Sequence, residues 1–274
     1  MRPGRWAQQV LPPPLYEWLQ RVSGRSMRFS GPYRDWPEAL RQAGGYDDEA
    51  ILRRVRAATL EVIAGRAAYE RDSVAFIQPA MPMTVLAVLL RHVLQNPGPL
   101  RVIDLGGSLG SLYRHCRPYL PPLQGLRWHV VEQAAFVAAG RAEFTTDELD
   151  FHGSIDALPA DSTPSFLLVS GVLQYLERPM EQFEAWARSS AATLFIDRLT
   201  LSTLDVDTFC VQHAPKFIVQ SSYACRVLSR RRLLEALAPH WRLAGEHDCP
   251  RDGRWTVKGG PEFGFQGLLF DRTR

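Results

Sequence analysis

Two acids that each close an apolar run, with a glycine-dense turn beside the first, are the residues of this chain best suited to chemistry. Asp104 ends Arg101-Val102-Ile103-Asp104 and is followed by Leu105-Gly106-Gly107-Ser108-Leu109-Gly110. A turn poor in side chains lets backbone approach a ligand, and the helix it opens offers unpaired N–H groups. A carboxylate at that place repels a diphosphate and suits a ligand carrying positive charge. Gly107 and Gly110 fit the last two glycines of the dinucleotide fingerprint, but Leu105 stands where the first should be. The second acid, Glu132, ends Leu126-Arg127-Trp128-His129-Val130-Val131 and lies 22 positions past Gly110. A carboxylate at a strand tip can accept hydrogen bonds from both hydroxyls of a ribose, and Ser111–Leu120 is long enough for a crossover helix. The pair points to a nucleoside-bearing ligand, although the ribose acid alone would serve a dinucleotide equally well.

The elements that must hold these acids follow from periodicity. From residue 100 onward the pattern predicts strand 100–104, helix 110–119, strand 126–131, helix 134–142 and strands 149–152 and 165–170. Helix 179–189, strand 192–197, helix 229–238 with Ser229 as N-cap, and strands 241–248 and 262–270 complete it. This alternation is that of an α/β fold with a doubly wound, Rossmann-like seven-stranded sheet. The connector Cys249–Glu262 is broken by Pro250, Gly253, Gly259, Gly260 and Pro261, so a hairpin and an antiparallel last strand are expected in place of a crossover helix. Ahead of this domain, assigned to 81–274, residues 1–80 read as an N-terminal helical cap. Phe29–Trp36 looks irregular, and a helix begins at Asp47 with Ile51, Leu52, Val55, Ala58, Thr59, Val62 and Ile63 at helical spacing. Met83–Leu94 repeats that pattern and stops at Asn96-Pro97-Gly98-Pro99, and residues 199–228 read as an irregular insert on the substrate side.

Composition excludes several classes. With 274 residues and 46% hydrophobic content the chain can bury a full α/β core. A net charge of +3 with 22% charged residues exerts no strong pull on nucleic acid or an anionic membrane, so neither is an expected partner. Cys116, Cys210, Cys225 and Cys249 form no C-x-x-C pair, which argues against a zinc knot or a disulfide framework, and no metal is expected. The longest apolar run, Met83–Leu90, is well short of a membrane span. A cytoplasmic protein, with a homodimer left open, is the expectation.

The motifs resemble those of class I S-adenosylmethionine-dependent methyltransferases. Asp104, Gly106 and Gly110 are in register with the D/E-x-G-x-G-x-G signature, and Ser108 replaces its middle glycine. Gly153-Ser154-Ile155-Asp156-Ala157-Leu158-Pro159 is similar to the third-strand motif G-D-A-x-x-L-P, with Ser154 at the acid position. Ser170-Gly171-Val172-Leu173-Gln174-Tyr175-Leu176 is similar to S-x-V-L-H-Y-L, with Gln174 in place of the histidine. Together with Ser30-Gly31-Pro32-Tyr33, Gly45-Tyr46-Asp47 and Tyr69-Glu70-Arg71-Asp72-Ser73, these resemble a family of uncharacterised bacterial methyltransferases over most of residues 29–272. The resemblance implies S-adenosylmethionine as cofactor. Asp104, Gly106, Gly107, Ser108 and Gly110 would hold its methionine part, Glu132 its ribose and Ser154 with Ile155 its adenine, with Ser170 at the same edge. It further implies a small-molecule or glycan-like acceptor facing Gln174 and Tyr175, with O-methylation expected.

Several assignments keep two readings. Ser154 can bind adenine or simply form a turn, and His152 can be no more than a strand-end histidine. Gln174 can orient an acceptor but cannot take a proton. His213, in a segment too irregular for a sheet strand, and Tyr223 are candidate bases or structural residues. Asp197 serves as a base, marks a strand end or pairs with Arg198. Arg230-Arg231-Arg232 reads as a solvated helix face more readily than as a phosphate site. Two rival functions stand beside methyl transfer: an NAD(P)-dependent oxidoreductase, and a non-catalytic scaffold that keeps the fold and cofactor.

Overall fold

The computed structural model describes residues 27–44, 48–159, 163–214 and 221–273. In chain order these form β1 (Arg28–Tyr33), α1 (Trp36–Gln42), α2 (Asp48–Ile63), β2 (Tyr69–Arg71), β3 (Val74–Phe76), α3 (Met83–Gln95) and β4 (Arg101–Leu105). Next come α4 (Ser111–Cys116), β5 (Arg127–Val131), α5 (Ala134–Glu143), β6 (Leu149–His152), β7 (Phe166–Ser170), α6 (Pro179–Arg188) and β8 (Thr193–Ser202). The remainder are β9 (Thr208–His213), β10 (Ser222–Ser229), α7 (Arg230–Leu237), β11 (Trp241–Asp248), β12 (Arg254–Thr256) and β13 (Glu262–Arg272). The chain divides into two compact units: residues up to Ala80 with Phe209–Cys225 and Val257–Gly260, and the remainder. Among the described residues no helix is long and apolar enough to cross a membrane.

The second unit carries the sheet. Its strands run in the order β6-β5-β4-β7-β8-β13-β11, with β13 antiparallel to β8 and β11 and the other pairs parallel; β10 pairs parallel with the end of β8 and β12 antiparallel with β13, so the sheet exceeds the seven strands expected. The broken connector before β13 forces this, because Cys249–Glu262 folds as a single 3-10 turn and the short β12 hairpinned on β13. Ile103, Leu167, Val169, Leu194 and Ile196 alternate toward one face and bury against Trp186 of α6 and Leu233 and Leu237 of α7. Near the β6 edge, α5 approaches closely because Gly140 has no side chain: a Cβ there would lie 2.4 Å from the Phe151 ring. Every parallel strand therefore ends at one edge, and β4 and β5 end side by side, with Leu105 paired to Val131.

The first unit is mixed where a helical cap was expected. Phe29–Trp36, read as irregular, contains β1, which pairs antiparallel with β9; the register shifts between Ser30 and Tyr33, where Pro32 has no N–H to donate. His213 is the last residue of β9, a regular strand, and not part of an irregular insert. Asp35 caps α1 by accepting from Glu38 N, while Glu38 accepts from Arg34 N at 2.7 Å. Trp36 and Ala39 of that helix pack on Val211 and Ala224. The α2 stripe buries Ile51, Val55, Ala58 and Thr59, while Leu52 and Val62 are half-buried and Ile63, at the end of the helix, is exposed. β2 and β3 form a hairpin whose turn residues Asp72 and Ser73 have positive φ (52° and 66°), the twist a two-residue hairpin turn needs.

Candidate functional site

The turn between β4 and α4 is tied to the tip of β5, since Gly106 N donates to Val131 O at 2.8 Å. Gly106, Ser108 and Gly110 all take left-handed backbone, with φ of 69°, 57° and 83°. Glycine reaches that region freely; Ser108 is held there against its preference. The missing side chains also make room for the protein itself. A Cβ on Gly106 would stand 2.3 Å from Val172 Cγ2, one on Gly107 2.5 Å from Asp104 Oδ2, and one on Gly110 2.8 Å from Leu149 Cδ2. These glycines therefore also serve packing, because the turn lies close against Val172, Asp104 and Leu149.

Asp104 departs furthest from expectation. It was expected to help hold a cationic ligand, but it is 1% exposed and lies against the Gly107 backbone, on the same face of the sheet as Trp128 of the neighbouring β5. The Trp128 indole N–H donates to Asp104 Oδ2 at 2.9 Å. Burial pushes the carboxyl up to about 7, with the nearby Glu132 charge adding to the rise and the indole bond opposing it. Glu132, half-buried at the tip of β5, reaches back over the turn. Its Oε1 accepts from Ser108 N at 3.2 Å and its Oε2 from Gln133 N at 2.8 Å. Turn, buried acid and partly open acid thus occupy one corner of the carboxyl edge.

The adjacent strand ends supply the rest. Ser154 is exposed just beyond β6 and precedes a 3-10 turn, Ile155–Ala157, in which Ile155 packs against the core. At the end of β7, Ser170 Oγ donates to Asp197 Oδ2 at 3.2 Å, and Gly171 N donates to Asp197 O at 2.9 Å. Gln174, expected to face an acceptor, is 1% exposed, and its amide nitrogen donates to Arg198 O at 3.1 Å. It therefore braces the left-handed turn at Arg198 (φ 54°). Its neighbour Tyr175 remains partly open.

Asp197 does not take Arg198 as its ion-pair partner. Arg198 turns to Asp252 at 3.1 Å, while Asp197 Oδ1 meets His247 Nε2 at 3.3 Å and Cys249 Sγ at 3.5 Å. Burial pushes the Asp197 carboxyl up, but His247, Arg198 and Cys249 outweigh it and leave it below the usual range. The Cys249 thiol is pushed up to about 12, chiefly by burial and then by Asp197. Sequence reasoning missed His247 and Cys249, which lie two strands away from Asp197; the one trace was Gly267, whose absent Cβ would stand 1.9 Å from the His247 ring. His152 likewise is more than a strand-end residue, since His129 Nδ1 and His152 Nε2 lie 2.6 Å and 3.0 Å from Asp150 Oδ1.

The remaining candidates are structural in their contacts. His213 belongs to the first unit, where its Nε2 lies 2.8 Å from Ser30 Oγ, and burial lowers its pKa. Tyr223 shares a hydrogen bond with Ser221, and burial raises its hydroxyl pKa. Arg230 pairs with Glu246, and Arg231 with Asp205 and Glu235, as a solvated helix face does. An apolar hollow of about 350 Å³ lined by Leu234, Trp241, Leu243 and Phe270 sits at the starts of β8 and β11, the edge opposite to the turn.

No protein-family model matches the chain, and no curated protein is similar to it in sequence. Among solved structures it is similar to the 1,6-didemethyltoxoflavin-N1-methyltransferase of Burkholderia thailandensis, bound to 1,6-didemethyltoxoflavin and S-adenosylhomocysteine, at 17% identity and a TM-score of 0.46, over 84% of this chain and 92% of that one. It is also similar to an amino pentose methyltransferase of Micromonospora echinaspora with S-adenosylmethionine bound, at 12% identity and a TM-score of 0.47, over 78% and 96% of the two chains. A third likeness is to the 4+2 cyclase SpnF, at 15% identity and a TM-score of 0.48, over 80% and 92%. Likenesses of this degree fix neither ligand nor reaction.

Proposed function

We propose that the carboxyl edge at β4 and β5 binds S-adenosylmethionine and that the protein transfers its methyl group to a small-molecule or glycan-like acceptor, at oxygen. The observation that carries the reading is the reach of Glu132 over the turn: a half-buried carboxylate whose Oε1 sits 3.2 Å from Ser108 N is placed where a ribose diol could exchange for that weak contact. In this reading the turn from Gly106 to Gly110 receives the methionine part. Asp104 acts from beneath, its buried carboxyl re-ionised by the field of a cationic ligand. Ser154 and Ile155 flank the adenine, and Tyr175 lies on the acceptor side. Gln174 and Ser170 keep the edge in shape through Arg198 and Asp197.

Against a dinucleotide stand Leu105 at the first fingerprint glycine and a buried carboxyl under the turn whose ionisation a cationic ligand favours and a diphosphate opposes. The antiparallel β13 also fits the methyltransferase resemblance better than the parallel ending usual in dehydrogenases. Methyl transfer is an in-line displacement at a carbon already activated by the sulfonium, so positioning and exclusion of water can carry it without a strong base.

Titration calorimetry with S-adenosylhomocysteine and with NADH tests the reading. Saturable binding of the first only is expected, and Glu132→Ala should weaken it by about 1.5–3 kcal/mol. Preferential NADH binding, or an unchanged Glu132→Ala titration, would overturn it. Release of S-adenosylhomocysteine over hydroxyl, amine and sugar acceptors then separates an enzyme from a scaffold that only binds.

A further inference from the structure

We propose that Asp197, His247 and Cys249 form a binding site for a zinc-class divalent cation, with three protein ligands and an open fourth position. The site is independent of the methyl-transfer reading. Its three donors are those zinc prefers, a carboxylate oxygen, an imidazole nitrogen and a sulfur. Their separations are 3.3 Å from His247 Nε2 to Asp197 Oδ1, 3.5 Å from Cys249 Sγ to the same oxygen, and 3.7 Å from Sγ to Nε2. A tetrahedral zinc with ordinary bond lengths places nitrogen and oxygen ligands about 3.3 Å apart and sulfur about 3.6 Å from either. The triangle therefore matches one face of that tetrahedron on all three edges.

Hydrogen bonding explains the cluster less well. The nitrogen–oxygen separation of 3.3 Å is long for a charge-assisted pair, and the thiol stands 3.5 Å from the carboxylate oxygen. The surroundings are also built to bring the three together. His247 pairs with Gly267 across β11 and β13, and its ring occupies the space that a side chain at 267 would fill, which lets it pass over β13 to Asp197 on β8. Phe195 stacks on the imidazole at 5.7 Å, and Ser170 Oγ holds the second oxygen of Asp197, as outer partners hold metal ligands. Asp197 is buried, and the side chain of His247 is 27% exposed, so the cluster lies between core and surface. The other cluster, His129, Asp150 and His152, also gathers three donor groups but has no sulfur and no such match of edges.

The test is titration of the full chain, reduced and stripped of metal, with cobalt(II) and then zinc. One equivalent of cobalt should give a near-ultraviolet thiolate-to-cobalt band and intense tetrahedral visible bands, both removed by zinc. Cys249→Ser should abolish the near-ultraviolet band and weaken zinc by about tenfold or more, and Gly267→Ala, which changes no ligand residue but displaces the His247 ring, should weaken zinc as well. Asp150→Asn should change nothing. Absence of the thiolate band in the unaltered protein overturns the proposal whatever the variants do. So does a band that survives Cys249→Ser or is lost in Asp150→Asn.

Discussion

Replacing Asp104 by Asn should make the ligand-free protein more stable at alkaline pH and poorer at binding its ligand. Asp104 is 1% exposed and burial pushes its carboxyl from 3.8 to about 7. Between those values the folded protein holds a proton that the unfolded chain has released. Stability therefore falls as pH rises through that window and levels off above it. The whole shift corresponds to about 4 kcal/mol, of which more than half accrues between pH 5 and pH 8. Asn keeps an oxygen that can accept the Trp128 indole N–H and has no charge to bury. Any steric cost of its amide is independent of pH, so it cancels in the difference. Urea unfolding of both proteins at pH 5 and pH 8 should show the variant gaining roughly 2 to 3 kcal/mol on the parent across that interval. The same variant should bind S-adenosylhomocysteine more weakly, because its ammonium group loses the carboxylate beneath Gly107. A stability difference independent of pH, or one with the opposite slope, would refute a buried acid with a raised pKa.

The turn offers two further tests. Ser108→Gly removes a side chain from backbone at φ 57° and should raise stability by about 1 kcal/mol in thermal unfolding, with Glu132 still able to accept from the residue's N–H. Gly106→Ala should cost more than about 2 kcal/mol, since it adds a strained φ of 69° to a Cβ that would stand 2.3 Å from Val172 Cγ2. Adding Val172→Ala to Gly106→Ala should restore the part due to the clash and not the part due to φ, which a double-mutant cycle measures.

The parallel half of the fold was legible because each of its signals is local. Strands β4 to β8 end in apolar runs of parallel-sheet type, and the broken chain from Cys249 to Glu262 declares a hairpin before any partner is known. β1 was not legible, because Gly31 and Pro32 punctuate it and its strand character comes from pairing with β9, more than 170 residues away. The motif at 104–110 identified the corner of the sheet but not the direction of its acid. Asp104 and Glu132 look alike in sequence, as acids after apolar runs, yet Asp104 stands inside its strand and faces the layer beneath while Glu132 lies one residue past the end of its own. Gln174 was misjudged for a similar reason: a polar residue after β7 reads as open, whereas the turn at Arg198 needs its amide. His247 and Cys249 meet Asp197 only across two strand pairings and an absent side chain at Gly267, which no spacing encodes.

The most direct measurement of the central claim is a crystal structure of the protein grown with S-adenosylhomocysteine. The ribose hydroxyls are expected on the Glu132 carboxylate and the amino-acid moiety over the turn from Gly106 to Gly110, with Asp104 below it. An empty edge at saturating ligand, or a nucleoside seated away from Glu132, would contradict it.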